Sequence, residues 1–208
     1  MKIGIIGSGH IGGTLTRRLR ALGHDVTVTN SRGPQSLTDL AEETGATAGT
    51  LEDTVQGAEL VVVAVPLKAV PQLPASVFDG KVVVDAHNYY PQRDGDVAEL
   101  LDRSLSSSRW TADHLKGARV VKTFNSIHAA DLMDSGRPAG AGDRIALPVA
   151  ADDADAKQLV MGLVDELGFD PVDAGTLDES WRQQPDTPVY GTNRDAEGVR
   201  RGLAEARP

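Results

Sequence analysis

The sequence predicts a doubly wound α/β fold, in which helices cover both faces of a parallel sheet. Apolar runs of strand length recur along the chain, and segments with helical periodicity separate several of them. These runs lack polar alternation, as expected for strands that are buried on both faces. The predicted strands are Lys2–Ile6, Asp25–Thr29, 59–65, Val82–Asp85 and 118–124, with 144–149 and 169–173 extending the sheet at its C-terminal edge.

A glycine-rich turn follows the first predicted strand, and an apolar pattern with helical spacing follows the turn. In such a unit the first glycine makes the turn, the second admits a pyrophosphate to the backbone, and the third lets the helix pack on the strand. The helix N-terminus adds free amide donors and the positive end of the helix dipole. The unit predicts a dinucleotide site formed by Gly7, Ser8, Gly9, His10, Ile11 and Gly12.

The end of the second predicted strand indicates which dinucleotide binds. NAD-binding proteins usually carry Asp or Glu about 20 residues beyond the glycines, where the carboxylate binds the ribose hydroxyls. This chain has Asn30, Ser31 and Arg32 there instead. The guanidinium fork of Arg32 and the Ser31 hydroxyl suit a phosphate better than a diol. The sequence therefore favours NADP(H) over NAD(H).

The remaining segments are assigned to helices, loops and a tail. Residues 37–44 and 154–167 have helical patterns, and the glycine- and proline-rich stretch 135–143 is interpreted as a linker. The polar loop 87–95 directly follows a predicted strand, where open α/β sheets bind ligands. We expect a single domain over residues 1–208, with a core over about 1–182 and a short C-terminal tail, 183–208, that ends in a charged helix.

Composition limits the chemistry and the partners. The 208 residues include no cysteine, which excludes disulfides, thiolate nucleophiles and thiolate metal sites. The formal charge of -9 predicts neither a nucleic-acid partner nor a membrane surface as partner. The histidines lack the spacing of metal ligands, so no bound metal is expected. Without an apolar leader or a membrane-length apolar run, we expect a soluble, cytoplasmic protein.

A second, small-molecule substrate is expected beside the nicotinamide. Three segments follow predicted strand ends, and a doubly wound sheet brings such ends to one rim. The segments are 87–90, 125–128 and 173–181. The predicted substrate contacts within them and at their ends are His87, Asn88, Tyr89, Tyr90, Asp173 and Trp181.

Whether the site needs a proton donor depends on the hydride acceptor. Transfer between two carrier rings requires little from the protein beyond positioning, whereas an imine or carbonyl acceptor requires a proton as well. His128 and Asn125 are the candidate catalytic residues, with His87 and Tyr89 also available. Each histidine fits a helix-capping or surface position equally well, so these roles stay open.

The order of motifs along the chain resembles a known family. GSGHIGG, NSRGP, VVVAVPLKAV, VVKTFNSIHAADL and VDELGFDPVDAGTLDESW occur in the order seen in NADPH-dependent reductases of the deazaflavin coenzyme F-420. The order of these motifs also resembles that in the cytosolic oxidoreductase domain of metalloreductases. The likeness extends to about Trp181. It departs from the deazaflavin reductases at 87–91, where those proteins have small and aliphatic residues.

The resemblance implies a Rossmann-type fold, NADP(H) as cofactor and a homodimer. It assigns the binding of the pyrophosphate to residues 8–11 of the glycine turn and the binding of the 2′-phosphate to residues 31–32 after the second strand. It adds Val65, Pro66 and Val70, which would line the path from adenosine to nicotinamide, and Ala129, near the nicotinamide carboxamide.

Three functions are compatible with these residues. The first is hydride transfer between NADP(H) and coenzyme F-420 or a flavin as second substrate, which the family resemblance favours. The second is NADPH-dependent reduction of a small imine or carbonyl compound, which the tyrosines of the 87–95 loop favour. The third is a non-catalytic module that senses NADP(H).

Overall fold

A sheet of eight strands runs through the computed structural model, which describes residues 1–207. Pro208, the last residue of the predicted domain and tail, lies outside the described residues. The strands are β1 (Lys2–Ile6), β2 (Asp25–Thr29), β3 (Thr47–Ala48), β4 (Leu60–Val63), β5 (Val82–Asp85), β6 (Arg119–Lys122), β7 (Ala146–Ala151) and β8 (Asp170–Asp173).

The strand order is β3-β2-β1-β4-β5-β6-β7-β8. The first six strands are parallel and follow the 3-2-1-4-5-6 order of doubly wound nucleotide-binding folds. This confirms the predicted α/β fold class. The expectation of parallel pairing throughout was wrong at one place, because β7 pairs antiparallel with β6 and β8 is parallel to β7. The carboxyl ends of β7 and β8 therefore point away from the edge at which β1, β4, β5 and β6 end.

Helices cover both faces of the sheet. Residues of α1 (His10–Ala21), α7 (Ala129–Asp134) and α8 (Ala154–Glu166) join one large apolar cluster. Residues of α3 (Leu51–Gln56), together with Phe78 and Leu115, join a second cluster on the opposite face. Four short 3-10 turns lie between these elements in the described part of the chain. The α-helices are α1 (His10–Ala21), α2 (Thr38–Thr44), α3 (Leu51–Gln56), α4 (Pro91–Asp94), α5 (Ala98–Leu101), α6 (Ser107–His114), α7 (Ala129–Asp134), α8 (Ala154–Glu166) and α9 (Ala196–Glu205).

Residues beyond 182 pack as part of the core rather than extending from it. Val189, Val199 and Leu203 are buried against β7 and β8 in a third apolar cluster. Gln183, the first residue of the predicted tail, is completely buried. The packed core thus continues past the boundary expected near residue 182, and the segment before α9 returns to the edge where the parallel strands end.

Candidate functional site

The glycine turn between β1 and α1 has the local geometry of a phosphate cradle. Gly7 has a φ of +106°, and a Cβ there would lie 2.4 Å from the Ala64 carbonyl oxygen. A Cβ on Gly12 would lie 1.8 Å from the Gly7 carbonyl oxygen, so no side chain fits between the helix and the strand end. Beside Gly9, by contrast, no atom lies within 4 Å of the Cβ position. The turn therefore leaves open space next to the first amides of α1, where a pyrophosphate would fit.

The loop after β2 is tied to this turn. The side-chain amide of Asn30 donates to the Ser8 hydroxyl at 2.9 Å, and its carbonyl oxygen accepts from the backbone N–H of Arg32 at 2.9 Å. Ser31 and Arg32 are both exposed. Asn30 thus holds the loop in place while the Arg32 guanidinium remains available to a phosphate on the ribose.

A cavity of about 420 Å³ lies where β1, β4, β5 and β6 end. It begins at the glycine turn and extends across the sheet edge, which is where doubly wound folds bind their ligands. The glycine turn and the segments that follow three strands line it. The turn contributes His10 and Ile11, and the segment after β4 contributes Ala64, Val65 and Pro66. The other lining residues are Ala86, His87, Asn88 and Tyr90 after β5, Phe124, Asn125, Ile127, His128 and Ala129 after β6, and Arg93 and Tyr190.

Asn125 holds two walls of the cavity together. Its side-chain amide nitrogen donates to the Asn88 side-chain oxygen at 3.0 Å and to the Gln183 carbonyl at 2.7 Å. Its side-chain oxygen accepts from Gln183 Nε2 at 3.0 Å, and Asn88 donates back to the Asn125 carbonyl at 2.8 Å. With its amide group engaged in this way, Asn125 is a positioning residue for the 87–90 and 183–190 segments. Its catalytic role, expected from the sequence, would act through an amide group that already makes these hydrogen bonds, and it stays a prediction.

A buried charged network lies behind the His87 wall. Asp85 and Lys122 are fully buried, and the Lys122 ammonium donates to Asp85 Oδ1 at 3.0 Å and also to the His87 carbonyl oxygen. The Ser108 hydroxyl donates to Asp85 Oδ2 at 2.8 Å, and His87 Nε2 lies 3.1 Å from the Thr111 hydroxyl. The network fixes the start of the 87–90 segment against β5 and β6.

The charge states in this network follow from burial and from close neighbours. Burial lowers the pKa of His87 to about 4, against the opposing effect of Asp85 and Asp94, so the ring is neutral near pH 7. Burial also lowers the pKa of Lys122, although Asp85 opposes the change. For Asp85 burial acts in the opposite direction, but the His87 ring, Lys122 and Ser108 outweigh it and lower the pKa. Because His87 is buried and neutral, it is a poor source of protons for a substrate.

His128 remains open to the cavity. It precedes the first residue of α7, is exposed, and makes no side-chain cap to that helix. A Cβ on Gly191 would lie 3.4 Å from its Nε2, and the Gly191 amide donates to the Ser126 carbonyl at 2.9 Å. The segment around Gly191 therefore stacks against the 125–129 loop and confines the His128 ring to the cavity wall.

Two tyrosines and an arginine close the far side of the cavity. The hydroxyls of Tyr90 and Tyr190 are hydrogen-bonded to each other. The guanidinium carbon of Arg93 lies 4.9 Å from the centre of the Tyr90 ring, and Arg93 also donates to the Asn88 carbonyl at 2.7 Å. Burial, together with the hydrogen bond to Tyr90, raises the pKa of Tyr190 above its ordinary value.

Four residues expected at the site lie elsewhere. Val70 is fully buried in the apolar cluster beneath β4 and β5. Tyr89 and Trp181 line a neighbouring cavity of about 390 Å³, and the Tyr89 hydroxyl donates to the Gly95 carbonyl at 3.0 Å. Asp173 accepts from Lys157 at 2.8 Å at the end of β8. Because β8 runs opposite to the first six strands, the segment after it leaves from the other edge of the sheet, and the expected convergence of three segments holds for only two.

Several residues of the site were not predicted from the sequence. Asp85 and Lys122 interrupt otherwise apolar strands, and a charge within a buried run is a signal that could have marked both. Arg93 lies in the loop that was predicted to bind ligands. Tyr190 has the loop context of an aromatic residue that could stack on a flavin-like ring, but no local signal placed it or Gln183 at this cavity, because only the path of the chain after residue 182 brings them there.

Residues 1–207 carry neither a membrane-spanning helix nor a cluster of metal-binding side chains. Within that range no helix is long and apolar enough to cross a membrane. The same residues contain no group of three His, Asp or Glu side chains placed to hold a metal ion.

Known proteins are similar to this chain in architecture and in sequence. Residues 2–89 match the model of the family described as NADP oxidoreductase, coenzyme F420-dependent. A hypothetical protein from Sinorhizobium meliloti is 33% identical with a TM-score of 0.81, covering 93% of this chain and 95% of that one. A protein from Arthrobacter sp. FB24, assigned as an F420-dependent NADP-reductase, is 30% identical with a TM-score of 0.71, covering 85% and 86% of the two chains.

A curated relative shows the same domain within a longer protein. The metalloreductase STEAP3 of Rattus norvegicus is 32% identical over 179 residues, which are 85% of this chain and 34% of STEAP3. The chain spans between about a third and just over half of the length of the curated relatives that it matches first.

The fold and the glycine turn define a dinucleotide-binding domain of the oxidoreductase class. The matches to known proteins over nearly the whole chain identify the family within that class. The chain belongs to the family of coenzyme F-420-dependent NADP oxidoreductases, and the resemblance noted from its motifs is confirmed.

Proposed function

We propose that this protein transfers hydride between NADP(H) and a second substrate bound in the 420 Å³ cavity, and that coenzyme F-420 or a flavin is that substrate. The observation that carries the proposal is the continuity of the cavity with the glycine turn. One wall starts at His10 and Ile11, and the cavity extends to His128 and Ala129. A dinucleotide held at the turn would therefore place its reactive ring among these residues.

The residues of the turn and of the β2 loop supply the dinucleotide site. The amides at the start of α1 and the space beside Gly9 suit the pyrophosphate, and Arg32 with Ser31 suits the 2′-phosphate of NADP(H). Val65 and Pro66 line the route toward the nicotinamide, with Ala129 opposite them. When bound, NADPH supplies the hydride, so these residues have only to hold and orient the two reactants.

The remaining walls of the cavity would orient the second substrate. Asn88 is fixed by its paired hydrogen bonds with Asn125, and His128 faces the same space. If the acceptor is a deazaflavin or a flavin, His128→Ala should alter acceptor binding and leave the hydride step within about tenfold, because the ring system carries its own electron sink.

The direct experiment mixes the purified protein with NADPH and each acceptor in turn. Coenzyme F-420, FMN and FAD are compared, and the loss of nicotinamide absorbance is followed. Oxidation of NADPH with F-420 or a flavin supports the proposal. Tight binding of NADPH without oxidation by any acceptor would instead support a non-catalytic, NADP(H)-sensing role.

A specific observation favours a second candidate, the reduction of a small imine or carbonyl compound by NADPH. The cavity wall carries Tyr90, Tyr190 and His128, which offer hydroxyl and imidazole groups where a carrier ring needs none. A panel of small ketones, aldehydes and cyclic imines in the same assay tests it.

We also propose that the protein is a homodimer, as the resemblance implies. Static light scattering at micromolar concentration should give about twice the chain mass of 21.9 kDa. A mass near that of one chain would reject the dimer.

A further inference from the structure

Two tyrosine hydroxyls meet at the cavity wall, although hydride transfer between carrier rings needs neither. Tyr90 follows β5, and Tyr190 lies 100 residues further along the chain. Both side chains are partly buried and line the cavity, and their hydroxyls share one hydrogen bond. Since each hydroxyl carries a single proton, one proton bridges the pair and the other is free for a ligand in the cavity.

The direction of the shared hydrogen bond decides which proton is free. Either hydroxyl can be the donor, and when Tyr190 donates to the Tyr90 oxygen the Tyr90 proton is free for a ligand in the cavity. Arg93 stacks on the Tyr90 ring at 4.9 Å and is held there by Asp94, whose carboxylate lies 2.8 Å from the guanidinium and accepts from the Tyr90 amide at 3.0 Å. Tyr90 therefore has the Tyr190 hydroxyl as partner at its oxygen and a guanidinium over its ring.

We infer that Tyr90 donates a proton to the second substrate, with Tyr190 and Arg93 stabilising the phenolate that remains, and that the substrate is a neutral carbonyl or imine compound. This inference rests on the second of the two proposed functions, the reduction of an imine or carbonyl compound by NADPH, and takes that compound as the substrate in place of coenzyme F-420 or a flavin. The carbonyl carbon accepts the hydride, the electron pair of the broken π bond moves to the oxygen, and that oxygen takes the Tyr90 proton. NADP⁺ and an alcohol are the products, and solvent at the open mouth of the cavity reprotonates Tyr90.

The test compares two hydride acceptors that differ in their need for a proton. Cyclohexanone needs both a hydride and a proton, whereas N-methylpyrrolinium, a cyclic iminium cation, becomes a neutral amine on accepting hydride alone. Tyr90→Phe should lower kcat with cyclohexanone by about 10²–10⁴-fold, as for loss of a general acid, and should leave kcat with the iminium cation within about threefold. Tyr190→Phe should cost roughly tenfold with the ketone only, the scale of one hydrogen bond.

An equilibrium measurement separates proton donation from damage to the fold. NADPH fluorescence gives the Kd of NADPH, which should stay within about twofold in both variants because the two hydroxyls bond to each other and make no hydrogen bond to the glycine turn. Cyclohexanecarboxamide, an unreactive carbonyl compound, should bind the NADPH complex of Tyr90→Phe about three- to tenfold more weakly, since it loses the hydrogen bond from Tyr90.

Each outcome decides the inference. Equal losses with the ketone and the iminium cation, or normal ketone reduction by Tyr90→Phe, would overturn it. If the wild-type protein reduces coenzyme F-420 or a flavin but neither of the two small acceptors, the inference fails and the proposed function stands. If NADPH is oxidised with none of these acceptors, both fail.

Discussion

The buried His87 ring makes the stability of this protein sensitive to mild acid. The pKa of His87 falls from 6.5 to about 4 on folding, chiefly because the ring is desolvated. The folded state therefore resists protonation that the unfolded chain accepts, and stability is lost as the pH falls below about 6.5. The full difference corresponds to about 3 kcal/mol, of which about 2 kcal/mol is lost between pH 7.5 and pH 5.

The assay is urea unfolding at pH 7.5 and at pH 5, followed by circular dichroism. His87→Gln removes the titrating group. Between pH 7.5 and pH 5, the free energy of unfolding of the wild type should therefore fall by about 2 kcal/mol more than that of the variant. This pH window lies above the ordinary carboxylate range, and the pKa of the neighbouring Asp85 is lowered further below it. The variant is expected to be less stable at both pH values, because the contact with the Thr111 hydroxyl is lost.

His114→Gln is the matched control. His114 is exposed at the end of α6 and lies outside the buried network around Asp85, so its removal should change the difference between the two pH values much less than His87→Gln does. If wild type and His87→Gln lose the same free energy between pH 7.5 and pH 5, then burial of His87 does not control the acid response, and the account of the network around Asp85 is wrong.

Three further predictions concern the dinucleotide site and the cavity walls. Arg32→Ala should weaken NADPH by about 1.5–3 kcal/mol and leave NADH unchanged, as measured by fluorescence titration; equal losses would show that Arg32 does not bind the 2′-phosphate. Gly9→Ala should keep the wild-type Tm but bind NADPH more weakly, whereas Gly12→Ala should lower Tm, because only the second Cβ meets backbone. Asn125→Ala should destabilise the fold by about 1–3 kcal/mol in urea, since Gln183 and Asn88 lose partners; unchanged stability would contradict its positioning role.

The first half of the site is predictable from sequence because its determinants are local. The glycines of the 7–12 turn, the apolar strand before it and the helix after it lie within 21 residues, and each has the predicted conformation. The segments 87–90 and 125–128 also lie at the sheet edge, as expected from the sequence, although Tyr89 lines a neighbouring cavity. Both follow strands of the parallel part of the sheet, whose direction follows from strand–helix alternation.

The second half of the site depends on the reversed direction of β7 and β8, which no local sequence pattern encodes. The strand 146–151 is as apolar as its neighbours, and its sequence does not say whether it pairs parallel or antiparallel with β6. The reversal moves Asp173 away from the cavity and directs the chain after residue 182 back to it. Tyr190 therefore enters the site while Asp173 leaves it, and only the full topology shows either.

The most direct test of the account follows the transferred atom itself. NADPH deuterated at the transferring position is incubated with the protein and with the acceptor that supports turnover, and the reduced product is examined by mass spectrometry. With coenzyme F-420, a carbonyl or an imine as acceptor, the hydride goes to carbon, so direct transfer within the cavity predicts one deuterium in each product molecule. With a flavin, whose transferred deuterium on nitrogen exchanges with water, direct transfer is measured instead as the loss of deuterium from the nicotinamide. A deazaflavin, alcohol or amine product without deuterium, an NADP⁺ that keeps the label, or a protein that binds NADPH yet reduces no acceptor, would contradict the proposed hydride transfer.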